Sequence, residues 1–82
     1  MATVVLSHEL SQQYAGGQTQ VEVEASDFRS LVKALDALYP GLGPELRVGL
    51  AVAIDGEIFQ EPFLEPIHPN SEVYFLPAIE GG

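Results

Sequence analysis

The chain has no cysteine and only three cationic side chains, Arg29, Lys33 and Arg47. Without a thiol there is no disulfide, no thiolate metal site and no cysteine nucleophile. Twelve acidic residues outweigh the three cations and leave a formal charge of −9. Binding to nucleic acid needs a basic footprint that releases counterions, and the composition does not supply one. An anionic membrane surface is disfavoured on the same ground. Long apolar runs are missing as well. No stretch approaches the ~18 apolar residues of a membrane-spanning helix, and residues 1–6 lack the basic start of a secretion signal. A soluble cytoplasmic protein is the expectation. Internal repeats and low-complexity tracts are also absent.

What is present is a well-patterned chain of 82 residues, 46% of them hydrophobic. That length gives one domain with a simple core. The acidity keeps such a domain soluble and suits a basic protein partner, whose encounter it would speed.

Residues 3–10 are rich in β-branched and apolar side chains and are expected to form a strand. Gly16-Gly17 supplies turn chemistry. Val21, Val23 and Ala25 then alternate with Gln20, Glu22 and Glu24, the pattern of a half-buried strand, and the two strands are expected to form a hairpin. Ser26 stands where a helix N-cap belongs, with Asp27 beside it. Phe28, Leu31, Val32, Leu35, Leu38 and Tyr39 draw one helical stripe, which Pro40-Gly41 ends. A loop over 41–44 is expected next. Leu50, Val52 and Ile54 alternate with Ala51 and Ala53, which suggests a strand covered on both sides. Asp55-Gly56 marks a tight turn into a short return strand at 57–59. Pro62, Pro66 and Pro69 make the following stretch irregular. Residues 72–76 form a last strand, closed by Pro77. This order predicts an α+β domain, a mixed sheet of four to five strands with one main helix packed across one face.

The last six residues, Pro77-Ala78-Ile79-Glu80-Gly81-Gly82, follow that strand. Two terminal glycines occur by chance roughly once in 200 chains at ordinary glycine usage, so the pair alone proves little. Their chemistry is nonetheless specific. Glycine is the slimmest peptide unit, so a Gly-Gly end can thread a narrow channel and present its carboxylate to an activating enzyme. Positioning by that partner would then supply the rate.

The segment from Asn70 to Gly82 resembles the ending of the MoaD/ThiS group of sulfur carriers, small β-grasp relatives of ubiquitin, and lies closest in layout to MoaD. Glu72, Val73, Phe75, Pro77, Ile79, Gly81 and Gly82 match that ending, and residues 51–56 resemble the group's central strand and turn. Asn70-Ser71 stands where Gly-Asp is usual, Leu76 and Ala78 where an aromatic and a second proline are frequent, and Asp55 where Asn is common. These departures leave the carrier role intact and loosen the tie to molybdopterin synthesis. The resemblance implies a β-grasp domain at 1–76 and a flexible tail at 77–82. It implies that Gly82 is the reacting group, adenylated at its carboxylate and converted to a thiocarboxylate that donates sulfur. The chain would then be a protein co-substrate, or the small subunit of a molybdopterin-synthase-like complex, and not an enzyme in its own right. No cofactor would be bound permanently, and ATP would be used by the activating partner. The implied partners are a MoeB/ThiF-like adenylyltransferase, a sulfur donor, and an acceptor such as a molybdopterin synthase large subunit or a thiazole-synthase-like protein. Tyr74, Phe75, Leu76, Pro77, Ala78, Ile79, Glu80 and Gly81 would contact them. The same tail would also serve a protein modifier joined to lysine through Gly82, and a third possibility is a non-covalent interaction module.

Other constellations are weaker. His8 and His68 lack further ligands at a recognisable spacing. Ser7-His8-Glu9 is no triad, because neighbours on a strand face opposite ways. Gly41-Leu42-Gly43 has no following lysine and reads as a helix exit. In the last strand, Tyr74 and Leu76 alternate with Val73 and Phe75. One pair packs beneath the helix, while the other is either tucked in or exposed as a docking patch.

Overall fold

A computed structural model describes residues 1–46, 50–60, 62 and 64–77, with Leu50 and Pro77 described through their backbone alone. Five strands form one mixed sheet in the order β2-β1-β5-β3-β4. Strand β1 (Ala2–Val5) pairs antiparallel with β2 (Gln20–Val23) and parallel with β5 (Glu72–Pro77). On the other side of β5, β3 (Leu50–Ile54) runs antiparallel to it and turns back into the short β4 (Glu57–Phe59). Helix α2 (Phe28–Leu38) lies over one face. This is the β-grasp architecture, with both terminal strands at the centre of the sheet.

The core is the inward set of each alternation. Val4, Val21, Val23, Val52, Ile54, Val73 and Phe75 on the sheet meet Phe28, Leu31, Val32 and Leu35 on the helix. The rings of Phe28 and Phe75 lie 5.9 Å apart at a tilt of 45°, a favourable aromatic geometry. The helical stripe reads as expected up to Leu35, but Leu38 is 54% exposed because the helix ends there.

Four local expectations need correction. The first strand stops at Val5, and residues His8–Tyr14 form helix α1. Ser7 caps it, its Oγ accepting the Leu10 N–H at 3.2 Å, and Glu9 places a negative charge in the first turn. The β1–β2 pair is therefore antiparallel but is no tight hairpin. Its connection holds a helix, released through Gly16 and Gly17 at positive φ. At α2 the N-cap is Asp27, one residue later than expected. Asp27 Oδ1 accepts the Ser30 N–H at 2.8 Å while Ser30 Oγ accepts the Asp27 N–H at 3.3 Å, a reciprocal capping box. The expected loop after α2 holds a short helix, α3 (Leu42–Glu45). Asp36 Oδ1 accepts the N–H groups of Gly41 and Gly43 at 3.2 and 2.9 Å, which fixes this turn against α2. On β3, Ala51 is buried and Ala53 half-buried, close to the two-sided cover its sequence implies.

The start of β5 is clamped to the β3–β4 turn. There Asp55 and Gly56 both take positive φ. Asp55 accepts the Glu72 N–H at 2.9 Å and the Ser71 hydroxyl at 2.7 Å. Its own N–H donates to the Glu72 carbonyl at 2.9 Å. Ser71, 2% exposed, also accepts the His68 N–H at 2.9 Å, and its carbonyl accepts the Thr3 N–H at 2.9 Å. One aspartate thus holds together the turn, β5 and, through Ser71, β1.

Hydrogen bonds from the Glu72 N–H and the Ser71 hydroxyl hold the Asp55 carboxyl below the usual aspartate range. Those from Ser30 do the same for Asp27. A carboxylate depressed in the folded state stabilises the fold fully above its unfolded pKa, about 3.9, and loses that contribution as pH falls through the lower folded value. In thermal melts, Asp55→Asn is expected to lower the midpoint at neutral pH, and its gap to the parent should close as pH drops below about 4. Ser71→Ala removes the acceptor of the partly buried His68 N–H and the donor to Asp55, and should cost about 1 kcal/mol in urea titrations.

Candidate functional site

Strand β5 is central in the sheet, and its alternation divides its side chains between two surfaces. Val73 is fully buried and Phe75 is 3% exposed, both toward α2. Tyr74 is 39% exposed and Leu76 half-buried on the opposite, open face. The alternative left open by sequence is thus decided: Val73 and Phe75 are the core pair, and Tyr74 and Leu76 face outward. Phe75 therefore drops out of the expected partner-contact set, because the residue parity that exposes Tyr74 turns its neighbour inward.

The strand registers show what surrounds Tyr74. Gln20, Val5, Tyr74, Ala53 and Ile58 form one row across all five strands. Ile58 at the sheet edge is 61% exposed, and Val5 and Ala53 are half-buried. Toward the C-terminal end of β5, Leu76 pairs with Ala51, and Pro77 pairs with Leu50 as the last step of the ladder. Toward the other end, Glu22, Thr3 and Glu72 form a row that carries two exposed carboxylates. The open face is therefore graded, apolar on the side where β5 leaves the sheet and acidic on the far side. Val5, Ala51, Ala53 and Ile58 were not singled out from sequence. Their alternation was visible, but their gathering around Tyr74 depends on which strands pair.

Of the expected site residues, Tyr74, Leu76 and Pro77 lie together on this strand. Ala78, Ile79, Glu80, Gly81 and Gly82 lie outside the described residues. The boundary drawn between 76 and 77 falls within β5, which runs through Pro77.

The other candidates fall away on geometry. His8 opens α1, and with it there the residues Ser7-His8-Glu9 form a capped helix start and no triad. His68 is exposed in the segment before β5. It adjoins a serine and an aspartate, but Ser71 gives its hydroxyl proton directly to Asp55 and meets His68 only through the backbone. Among the described residues no cluster of His, Cys, Asp or Glu is arranged to hold a metal ion. No helix there is long and apolar enough to cross a membrane. Among the described residues two grooves stand out. One of about 340 Å³ is lined by Val32, Lys33, Asp36, Gly43 and Pro44. The other, of about 500 Å³, lies between the N-terminus, the end of β2 and the start of α2. Neither is lined by β5. The feature most suited to a role is thus a graded sheet face whose central strand leads into the Gly-Gly end.

A five-stranded β-grasp sheet with this order, crossed by one main helix, defines a ubiquitin-like domain. The ThiS family model matches residues 5–82, and the chain belongs to the ThiS family. No curated protein sequence matches the chain. Among solved structures, it is similar to a chain of the Amycolatopsis orientalis BexX/CysO complex, with 18% identity over 100% of both chains and a TM-score of 0.87. It is similar to Mycobacterium tuberculosis CysO, an antigen, with 21% identity over 96% of this chain and 100% of that one and a TM-score of 0.86. It also resembles SAMP1 from Haloferax volcanii, with 18% identity, 99% and 98% coverage and a TM-score of 0.71. At these identities the likeness establishes the shared fold.

The two faces of β5 should respond oppositely to substitution. Phe75→Ala removes a buried ring and is expected to cost about 3–5 kcal/mol. Tyr74→Ser on the open face should cost no more than about 1 kcal/mol. Paired denaturant titrations of the two variants check the assignment.

Proposed function

We propose that the chain is a sulfur carrier whose reacting group is the Gly82 carboxylate. The observation that carries this reading is the continuity of β5. The strand that displays Tyr74 and Leu76 on the open face runs on, after Pro77, into Ala78-Ile79-Glu80-Gly81-Gly82. Membership of the ThiS family supports it. A protein docked on the open face would receive the terminus from the edge of its own binding site.

In the proposed cycle an adenylyltransferase of the MoeB/ThiF type binds the open face. A Gly82 carboxylate oxygen attacks the α-phosphorus of ATP, and pyrophosphate leaves. A sulfur donor at the sulfide level, hydrosulfide being the simplest, then attacks the acyl carbon, the C–O bond to AMP breaks with AMP leaving on the electron pair, and loss of the S–H proton leaves a thiocarboxylate. The carrier dissociates and docks on an acceptor enzyme, where a substrate takes the sulfur. ATP is consumed by the partner, so the carrier needs no resident cofactor and acts as a co-substrate. Gly81 and Gly82 let the end pass a channel too narrow for a Cβ. The apolar row at Val5, Tyr74, Ala53 and Ile58 supplies the dry centre of the contact, and the acidic row at Glu22 and Glu72 favours a basic rim on the partner. A structural relative occurs in a complex with a second protein, BexX, and this fits a carrier that works by docking. The acceptor belongs to the chemistry of sulfur-containing metabolites, molybdopterin-type or thiazole-type, and the cytoplasm, where ATP is available, is the proposed site of the cycle.

Intact-mass analysis after incubation with the activating enzyme, ATP and a sulfur donor tests this reading. The expected result is exchange of one oxygen for sulfur at the terminus. Adding one residue after Gly82 should abolish the exchange and leave the melting temperature unchanged. An extended chain that still acquires sulfur would contradict the reading.

A further inference from the structure

Strand β2 is the last strand on its side of the sheet, so one of its edges has no partner. The ladder with β1 shows which backbone groups that edge presents. The Leu6 N–H donates to the Thr19 carbonyl at 2.8 Å, which makes Leu6 and Thr19 a hydrogen-bonded pair. Such pairs alternate along an antiparallel ladder. In the register of β1 and β2 the next ones are Val4 with Val21 and Ala2 with Val23. Gln20 and Glu22 fall between them, so their N–H and C=O groups point away from β1. Among the described residues neither makes a backbone hydrogen bond outside the sheet ladder.

An unpaired edge is a template for a further strand. The side chains on its two faces decide what it accepts. Gln20, Glu22 and Glu24 are exposed on the open face, and Val21 and Val23 are buried toward α2. The residues of an added strand alternate in the same way. Those opposite Gln20 and Glu22 exchange two hydrogen bonds with each and stand beside them on the open face. A lysine or arginine opposite Glu22 has its Cβ roughly 5 Å from that of the glutamate. The residues in between turn to the helix side. There Ser30 of α2 borders Glu24 and Ala25 in the groove of about 500 Å³, which places that flank of α2 beside β2. One and two turns further along the same flank, Ala34 is half-buried and Leu38 is exposed. These positions carry no charge and suit apolar side chains. Lys33 lies on a different flank, where it borders Gly43 and Pro44.

We propose that the free edge of β2 binds an extended segment of another protein in which lysine or arginine alternates with apolar residues, added antiparallel as a sixth strand. A second copy of the chain is a poor occupant. It brings charge −9 against −9, and self-pairing centred on Glu22 sets two like carboxylates opposite one another. The glutamates that guard the edge against self-association therefore select a basic strand. The site makes no use of Gly82, so it stands or falls apart from the carrier reading.

The probe is an eight-residue peptide of alternating lysine and valine, blocked at both ends, titrated into the full chain at low salt and followed by amide NMR and hydrogen exchange. The Gln20 and Glu22 amides are expected to exchange freely in the unliganded protein and to become protected at saturation. The Val21 and Val23 amides, already bonded to β1, should change little. Methylating the lysine backbone nitrogens keeps the charge and removes the donors to β2, and should weaken binding at least about tenfold. Methylating the valine nitrogens, which face away from β2, should be tolerated. Glu22→Lys should weaken the lysine peptide roughly tenfold and admit one of alternating glutamate and valine. Equal binding of the two methylated peptides means that charge alone attracts them, and overturns the proposal. So does protection confined to β4, or no binding at millimolar peptide. A protein that sediments as a dimer without peptide, with its Gln20 and Glu22 amides already protected, overturns it in favour of a second copy.

Discussion

The pairing of β5 between β1 and β3 is the constraint on which the rest of the structure depends. Its register, Val4 with Val73 on one side and Val52 with Phe75 on the other, decides which residues enter the core. A slip of one residue would turn Val73 and Phe75 to solvent and drive Tyr74 and Leu76 under the helix. The cost of exposing that core specifies the register. The Asp55 clamp reinforces it from one end, tying the β3–β4 turn to Glu72 and Ser71 and, through Ser71, to Thr3. Stability and the proposed function therefore draw on the same six residues, Glu72–Pro77.

Along β5 the roles follow in order. Its start is pinned by hydrogen bonds that need an ionised aspartate. Its middle sends one parity of side chains into the core and the other onto the open face. Its end leads to the carboxylate proposed to carry sulfur. A domain built this way needs no cleft and no catalytic side chain of its own. It needs a surface for partners to grip and an end for them to modify. In the proposed cycle the exposed carboxylates of Glu22 and Glu72, which line the open face, add to that grip.

Much of this was legible in the sequence because one-dimensional patterns report burial directly. The stripe from Phe28 to Leu35, the alternation of Val21 and Val23, and the Asp55-Gly56 turn each contain their own evidence. The β-grasp fold followed from their order together with the resemblance at the C-terminal end. The misread segments are those where two patterns compete. Leu6 and Leu10 suit a strand by composition, yet their spacing of four, with Ser7 before Glu9, also opens a helix, and the cap decided it. Likewise Gly41-Leu42-Gly43-Pro44 looks like a loop until Asp36, five residues back, is seen to hold its amides. The open face was half legible. The shared parity of Tyr74 and Leu76 could be read, but not which parity was outward, nor that Val5 and Ile58 would join Tyr74 in one row. Those facts belong to strand pairing, which no single segment encodes.

The most direct test of the account follows the Gly82 carbonyl carbon itself. With ¹³C placed at that position by protein ligation, the protein is incubated with its activating enzyme, ATP and a sulfur donor and observed by carbon NMR. The account predicts that the carboxylate resonance is replaced by that of a thiocarboxylate, and that a desulfurising acceptor restores it. A resonance that stays at the carboxylate position while ATP is consumed, or that never moves at all, would contradict the claim that this carbon carries the cargo.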